Sequence, residues 1–242
     1  MCYHASVPDR TELDDLYDYA VRTDEWDTYY NYMNGYDHQS LPVLKASSPD
    51  IISKCNWGLV ASWAKDTAHA NMLRKGCLNA KSEEIFEKPS YRNIIRKNRC
   101  LIFLNGIYEW RHLSKNDKYP YLISLKNQKA FACAGVHETW VDKLTGETRE
   151  TCSIVTTTAN PLMAKIHNSG LRMPVMFTKE NMQKWIEPNL TDSQIIDLMK
   201  PLDESYMEAH TVMKINPKTP QLFNNPEVKK EVEYPQIILL DS

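Results

Sequence analysis

Four runs in the second quarter and middle of this chain, residues 100–104, 119–125, 130–140 and 150–157, are built for β-strands and constrain the fold more than anything else in it. They are rich in β-branched and aromatic residues, and the last two are joined across Thr145-Gly146, a hairpin signature. Two shorter runs, 41–44 and 57–60, also read as strands. Helical signals are fewer. Residues 11–21 place Leu13, Leu16, Tyr17 and Ala20 on one face. Ser90 is expected to cap a helix that runs through Ile94 and Ile95 and ends before Cys100. Thr178 and Thr191 each open a helical pattern, and Thr191-Asp-Ser-Gln194 has capping-box spacing ahead of Ile195, Ile196, Leu198 and Met199. Strands and helices mix without regular βαβ alternation. The expected class is therefore α+β, with a mainly antiparallel, barrel-like sheet core flanked by helices. No linker, repeat or low-complexity tract divides the chain, so residues 1–242 read as one domain. The proline-rich segment from Pro217 is expected to run extended over the surface, forming a C-terminal tail from about residue 227.

Composition excludes several classes. No stretch approaches 18 apolar residues and no charged-then-apolar leader opens the chain, so neither a membrane span nor secretion is expected. The six cysteines (Cys2, Cys55, Cys77, Cys100, Cys133, Cys152) are widely spaced, with no C-x-x-C pair. That spacing argues against a zinc site and a disulfide framework, and fits a reducing cytoplasm. The formal net charge is −2, so nucleic-acid binding would need a local groove. Residues 9–27 are acidic, whereas 74–99 carry Arg74, Lys75, Lys81, Lys88, Arg92, Arg96, Lys97 and Arg99 against three glutamates. Such a stretch serves either as a solvated helix face or as one wall of a groove.

Chemistry enters at the second residue. Initiator methionine is normally removed when the next side chain is small, so the mature chain is expected to begin at Cys2. A free α-amine, pKa about 7.7–8.0, and a thiol, pKa about 8.5, then sit on adjacent carbons. A 1,2-aminothiol condenses with an aldehyde and closes a thiazolidine ring, which no internal cysteine can do. The plainer alternative is an ordinary residue at a frayed terminus. Four polar residues stand in contexts that otherwise look apolar and structural: Asn79, Glu109 between Tyr108 and Trp110, His167 and Arg172. Burial would raise the pKa of Glu109 towards the general-acid range. Glu109 equally fits an exposed strand face, and His167 equally fits a satisfied histidine near a helix end. Spacing alone does not bring Cys2, Asn79, Glu109 and His167 together.

A set of motifs in order does more. Trp57-Gly-Leu-Val-Ala-Ser-Trp63, Leu78-Asn-Ala-Lys-Ser-Glu83, Arg99-Cys-Leu-Ile, Gly106-Ile-Tyr-Glu-Trp110, Ala134-Gly-Val-His-Glu-Thr-Trp140, Ile154-Val-Thr-Thr-Thr-Ala-Asn160 and Ile166-His with Arg172-Met-Pro-Val175 follow the Met1-Cys2 start. Over roughly residues 1–226 the chain resembles the SRAP family, the SOS-response-associated peptidase-type proteins that act as abasic-site sensors. The resemblance implies a single α+β domain and a positively charged groove for single-stranded DNA. It also implies covalent capture of the abasic sugar aldehyde by Cys2. By position, Asn79 would hold the Cys2 terminus and the sugar oxygen. Glu109 would be the general acid/base, and His167 would shuttle a proton on the sugar hydroxyl or phosphate side. Trp63 would be an apolar wedge against a base, and Lys81 and Arg172 would neutralise phosphates. No cofactor or metal is implied. The expected partner is single-stranded DNA containing abasic sites, bound by a monomer in the cytoplasm that joins the nucleoid during DNA damage. Departures from the family pattern fall on DNA contacts. Tyr3-His4 stand where Gly-Arg is usual, Lys81 replaces an arginine, Met33-Asn-Gly-Tyr-Asp-His38 replaces an Asn-x-Ala-Pro segment, and residues 168–171 are extra. Two other readings use the same start. One is an N-terminal-cysteine peptidase or amidohydrolase acting on a small amide or its own leader. The other is a non-catalytic single-strand DNA or protein-interaction module in which Cys2 is incidental.

Overall fold

The computed structural model describes residues 2–16, 21–22 and 29–237. In chain order its strands are β1 (His4–Val7), β2 (Val21–Arg22), β3 (Tyr30–Asn34), β4 (Ser40–Lys45), β5 (Ile51–Trp57), β6 (Asn79–Lys81) and β7 (Arg99–Leu104). They continue with β8 (Gly106–His112), β9 (Lys118–Leu125), β10 (Phe131–Val141), β11 (Thr148–Thr158), β12 (Arg172–Pro174), β13 (Met176–Phe177) and β14 (Met207–Thr211). The α-helices are short: α1 (Arg10–Leu16), α2 (Thr67–Gly76), α3 (Pro161–Ile166), α4 (Gln183–Ile186) and α5 (Asp192–Leu198).

The fold is α+β around a closed ring. β11, β10, β7, β4 and β5 pair antiparallel in that order. β5 then returns to β11 in parallel through Thr151↔Asn56 and Cys152↔Trp57, and the ring closes without a free edge. All six residues of β7 are buried, so that strand reads as continuous rather than alternating. Its first residue, Arg99, is 2% exposed, and its guanidinium donates to the carbonyls of Trp185, Ile95, Arg96 and Glu187. A second, antiparallel sheet runs β14-β9-β8-β1-β3. Along β8, Ile107 belongs to the main core, whereas Tyr108 packs with Tyr32, Leu122, Val212 and Val228 in a smaller cluster. Glu109 is two residues on from Ile107, on the main-core face.

Several expected elements differ. The four long strand runs and the hairpin at Thr145-Gly146 form, with Gly146 at φ +76°. The helix expected over 11–21 ends within the described residues at Leu16; residues 17–20 lie outside them, and Val21 pairs with Ile51 as a strand. Leu13 and Leu16 are its buried face. The run 57–60 is not a strand beyond Trp57, because Gly58 adopts φ +112°, which turns the chain away. The helix expected from Ser90 does not form. Residues 82–97 form successive turns in which three- and four-residue hydrogen bonds alternate, as in Ile94 N to Tyr91 O and Asn98 N to Ile94 O. The pattern from Thr178 yields only α4, and Thr191 forms the full capping box with Gln194. After Pro217 the chain is not simply extended: it makes 3-10 turns at Pro220–Phe223 and Pro226–Lys229, buries Val228, and bridges Glu231 to Val212. Among the described residues no helix is long and apolar enough to cross a membrane.

Candidate active site

β1 lies between β8 and β3, so the residues just before it are delivered to the middle of the second sheet, against the barrel. There Cys2 is 2% exposed. Its carbonyl accepts a 2.9 Å hydrogen bond from Asn79 Nδ2. Asn79 is fixed by β6, which pairs in parallel with β11 through Ile154↔Asn79, and by Tyr91, whose hydroxyl donates to the Asn79 carbonyl at 3.2 Å. β8 carries Glu109 in from the other side, and its carboxyl is hydrogen-bonded to the Cys2 thiol. His167 arrives on the C-cap of α3, a helix started by the Asn160 cap with Pro161 in the first turn. His167 Nδ1 donates to the Arg172 carbonyl at 2.9 Å and lies 3.6 Å from Glu109 Oε1. One ligand-type atom each from Cys2, Glu109 and His167 falls within 4.8 Å of the others, and all three residues are buried. Cys2, Asn79, Glu109 and His167, which sequence spacing left scattered, thus converge.

Burial sets the electrostatics. It pushes the Glu109 carboxyl up to about 7, against the hydrogen bond from Cys2, which lowers it. Burial and then the neighbouring Glu109 raise the Cys2 thiol, so the thiol is held protonated. Burial lowers His167, against the Arg172 carbonyl, which raises it. Within this cluster two buried acceptors have no hydrogen-bond partner, Asn79 Oδ1 and Glu109 Oε1. Unpaired buried acceptors are costly, and each leaves a place for an incoming donor.

Glu109 and His167 open into a cleft of about 550 Å³, also lined by His4, Trp110, Lys118 and Lys214. His4 Nδ1 bonds the Tyr32 hydroxyl at 2.8 Å, and burial lowers its pKa to about 4, so it is neutral. Lys214 Nζ lies 3.5 Å from the Tyr119 ring centroid. These cleft residues come from β1, β8, β9 and the segment after β14. They carry no shared sequence signal beyond their charge and aromatic character.

The three residues expected to touch DNA are placed outside that convergence. Trp63 is 47% exposed on the turn before α2, its ring 5.6 Å from that of His69. Lys81 ends β6 and pairs with Glu84 at 2.9 Å. Arg172 starts β12, holds both oxygens of Glu83 at 2.7 and 2.9 Å, and donates to the Thr156 carbonyl. The basic stretch 74–99 does not form one wall: Arg99 is buried in carbonyl bonds and Arg96 pairs with Asp192.

A buried thiol thus lies beside a carboxyl and an imidazole that open on a cleft lined by lysines and aromatic residues, and the frame that holds them recurs elsewhere. The chain belongs to the SOS response associated peptidase (SRAP) family, whose model matches residues 1–216. It is 37% identical over 191 residues to the abasic site processing protein YoqW of Bacillus subtilis (strain 168), covering 78% of this chain and 80% of that one. The abasic site processing protein HMCES of Xenopus tropicalis is 24% identical over 188 residues, 69% of this chain and 55% of its own. A crystal structure of a Bacteroides thetaiotaomicron protein matches with TM-score 0.85 at 33% identity, covering 96% of this chain and all of that one.

Proposed function

We propose that this protein processes abasic sites by capturing them covalently in single-stranded DNA, through Cys2 as the first residue of the mature chain. The observation that carries the reading is the convergence of Cys2, Glu109 and His167 within 4.8 Å, with Asn79 on the Cys2 carbonyl. The names of the relatives supply the substrate. Removal of Met1 frees the α-amine. The amine attacks the aldehyde carbon of the ring-opened sugar and water leaves, giving an imine. The thiol sulfur then adds to the imine carbon while its proton passes to the nitrogen, closing the thiazolidine.

Each neighbour has a part in that sequence. Glu109, poised near neutrality, donates the proton that lets the sugar ring open and water leave, and accepts it back on reversal. Asn79 orients Cys2 and offers Oδ1 to the amine or a sugar hydroxyl. His167 serves the proton on the cleft side. Trp63 stacks against a neighbouring base, while Lys81 and Arg172 exchange Glu84 and Glu83 for phosphates. The protein acts as a monomer in the cytoplasm, at the nucleoid during DNA damage. The test is a denaturing gel of the protein incubated with abasic single-stranded DNA. The wild type should give a heat-stable shifted band, Cys2→Ala none, and Cys2→Ser at most a reversible imine. A heat-stable band retained by Cys2→Ala would overturn the reading.

A further inference from the structure

We propose that Cys2, Glu109 and His167 form a binding site for a thiophilic divalent cation, Zn²⁺, and that loading it blocks Cys2. The sequence gives no hint of this, since the ligands lie at positions 2, 109 and 167 and no zinc-type spacing is present. The geometry does. One sulfur, one carboxylate oxygen and one imidazole nitrogen within 4.8 Å of one another form a donor set that zinc takes, and small side-chain shifts bring them to zinc-ligand distances. A second, independent observation is Glu109 Oε1, an acceptor on a residue 5% exposed that has no hydrogen-bond partner in the cluster. Glu109 and His167 face the cleft, so a fourth coordination position opens to solvent, as in zinc sites that keep one position free. The thiolate selects Zn²⁺ over Mg²⁺ or Ca²⁺, which prefer oxygen ligands.

Binding involves no redox change. The Cys2 thiol gives its proton to solvent and its sulfur takes the metal. His167 Nδ1, the nitrogen 3.6 Å from Glu109, exchanges the Arg172 carbonyl for the metal while the ring proton moves to Nε2. One neutral hydrogen bond is a small loss beside a metal–imidazole bond. In the mature chain the Cys2 amine would add a nitrogen in a five-membered chelate with the sulfur. This addition, and the block on aldehyde capture, rest on the proposed function; binding by the three side chains does not.

The experiment titrates metal-free protein with Zn²⁺ against a chromophoric chelator, and with Co²⁺ while the sulfur-to-cobalt charge-transfer band is followed. One equivalent should bind. Cys2→Ala should abolish the band, and Glu109→Gln and His167→Ala should each weaken binding by at least about tenfold. Cys77→Ser, a thiol outside the cluster, should bind as wild type does, with thermal melts verifying that every variant is folded. Zn²⁺ should stop DNA capture, a chelator should restore it, and millimolar Mg²⁺ should do neither. Binding unchanged in the three variants, or lost in Cys77→Ser, overturns the site. Capture by a protein that binds no zinc defeats this inference alone, and zinc binding by a protein that captures nothing even when metal-free defeats only the proposed function.

Discussion

Glu109 serves two opposed demands. Its carboxyl is buried on the main-core face of β8, and the proposed chemistry asks it to exchange a proton near neutrality. Burial raises its pKa from 4.5 to about 7, so between those values the folded chain holds a proton that the unfolded chain has released. Stability therefore falls as pH rises through that window. Glu109→Gln removes the liability while keeping the shape. The variant should match the wild type near about pH 4 and exceed it near about pH 8, by up to ~3 kcal/mol. Denaturant unfolding at both pH values checks this, and an equal gap at both would contradict it. Activity should move the other way. Single-turnover capture by Glu109→Gln should be slower by about 10²-fold, and reversal should slow as well, since one group serves both directions. Wild-type capture should lose its general acid as pH rises past about 7, and the variant should lack that limb. A native rate in Glu109→Gln would make Glu109 a structural residue only.

At the scale of elements, the loop between α3 and β12 sets the imidazole. His167 caps α3, its Nδ1 is held by the Arg172 carbonyl, and Gly170 lies against its ring, so that an added Cβ there would collide with Nε2. The obstacle is the mobile end of a side chain rather than backbone, so the fold can accept it by turning the ring. Gly170→Ala should therefore slow capture by about 10²-fold, the cost of a misplacement of about 1 Å, with little change in melting temperature. Normal capture with a normal melt would show that the position of His167 is not critical. Elements of this kind were only partly legible in the sequence. The hairpin of β10 and β11 and the Thr191 capping box were readable because each is local and marked by turn or cap chemistry. The segment from Ser90 to before Cys100 read as a helix because Ser90 looks like a cap ahead of Ile94 and Ile95, whereas tertiary contacts bury both in the main core without completing a helix. β6 escaped because its three residues gain strand geometry only by lying beside β11.

For the whole molecule, the closure that builds the site is long-range. The parallel return of β5 onto β11 joins positions about a hundred residues apart, and nothing in either segment announces the partner. The same distance hid the cleft: His4, Trp110, Lys118 and Lys214 meet only in the folded chain. The candidate chemical residues were nameable, Cys2 from its place after Met1 and Asn79, Glu109 and His167 from ordered motifs, but their convergence was not. The stretch 74–99 stayed open between a solvated face and a groove wall, because Arg99 and Arg96 can be assigned to neither until their carbonyl and carboxylate partners are seen. With a net charge of −2, the proposed DNA binding would rest on local cations, and Lys118 in the cleft is one candidate. Affinity for undamaged single strands should fall with salt by about 0.7 log units per log unit for each neutralised phosphate. Lys118→Ala should reduce that slope by about 0.7, and an unchanged slope would remove the cleft from the DNA path.

The central claim, that Cys2 becomes a terminal aminothiol and closes on the abasic aldehyde, is tested most directly by intact mass of the adduct formed with an abasic single strand. The account predicts a species equal to the chain without Met1, plus the oligonucleotide, less one water. It should persist through heat and denaturant, and Cys2→Ala should form no such species. An adduct that retains Met1, or one that maps to a residue other than Cys2, would contradict it.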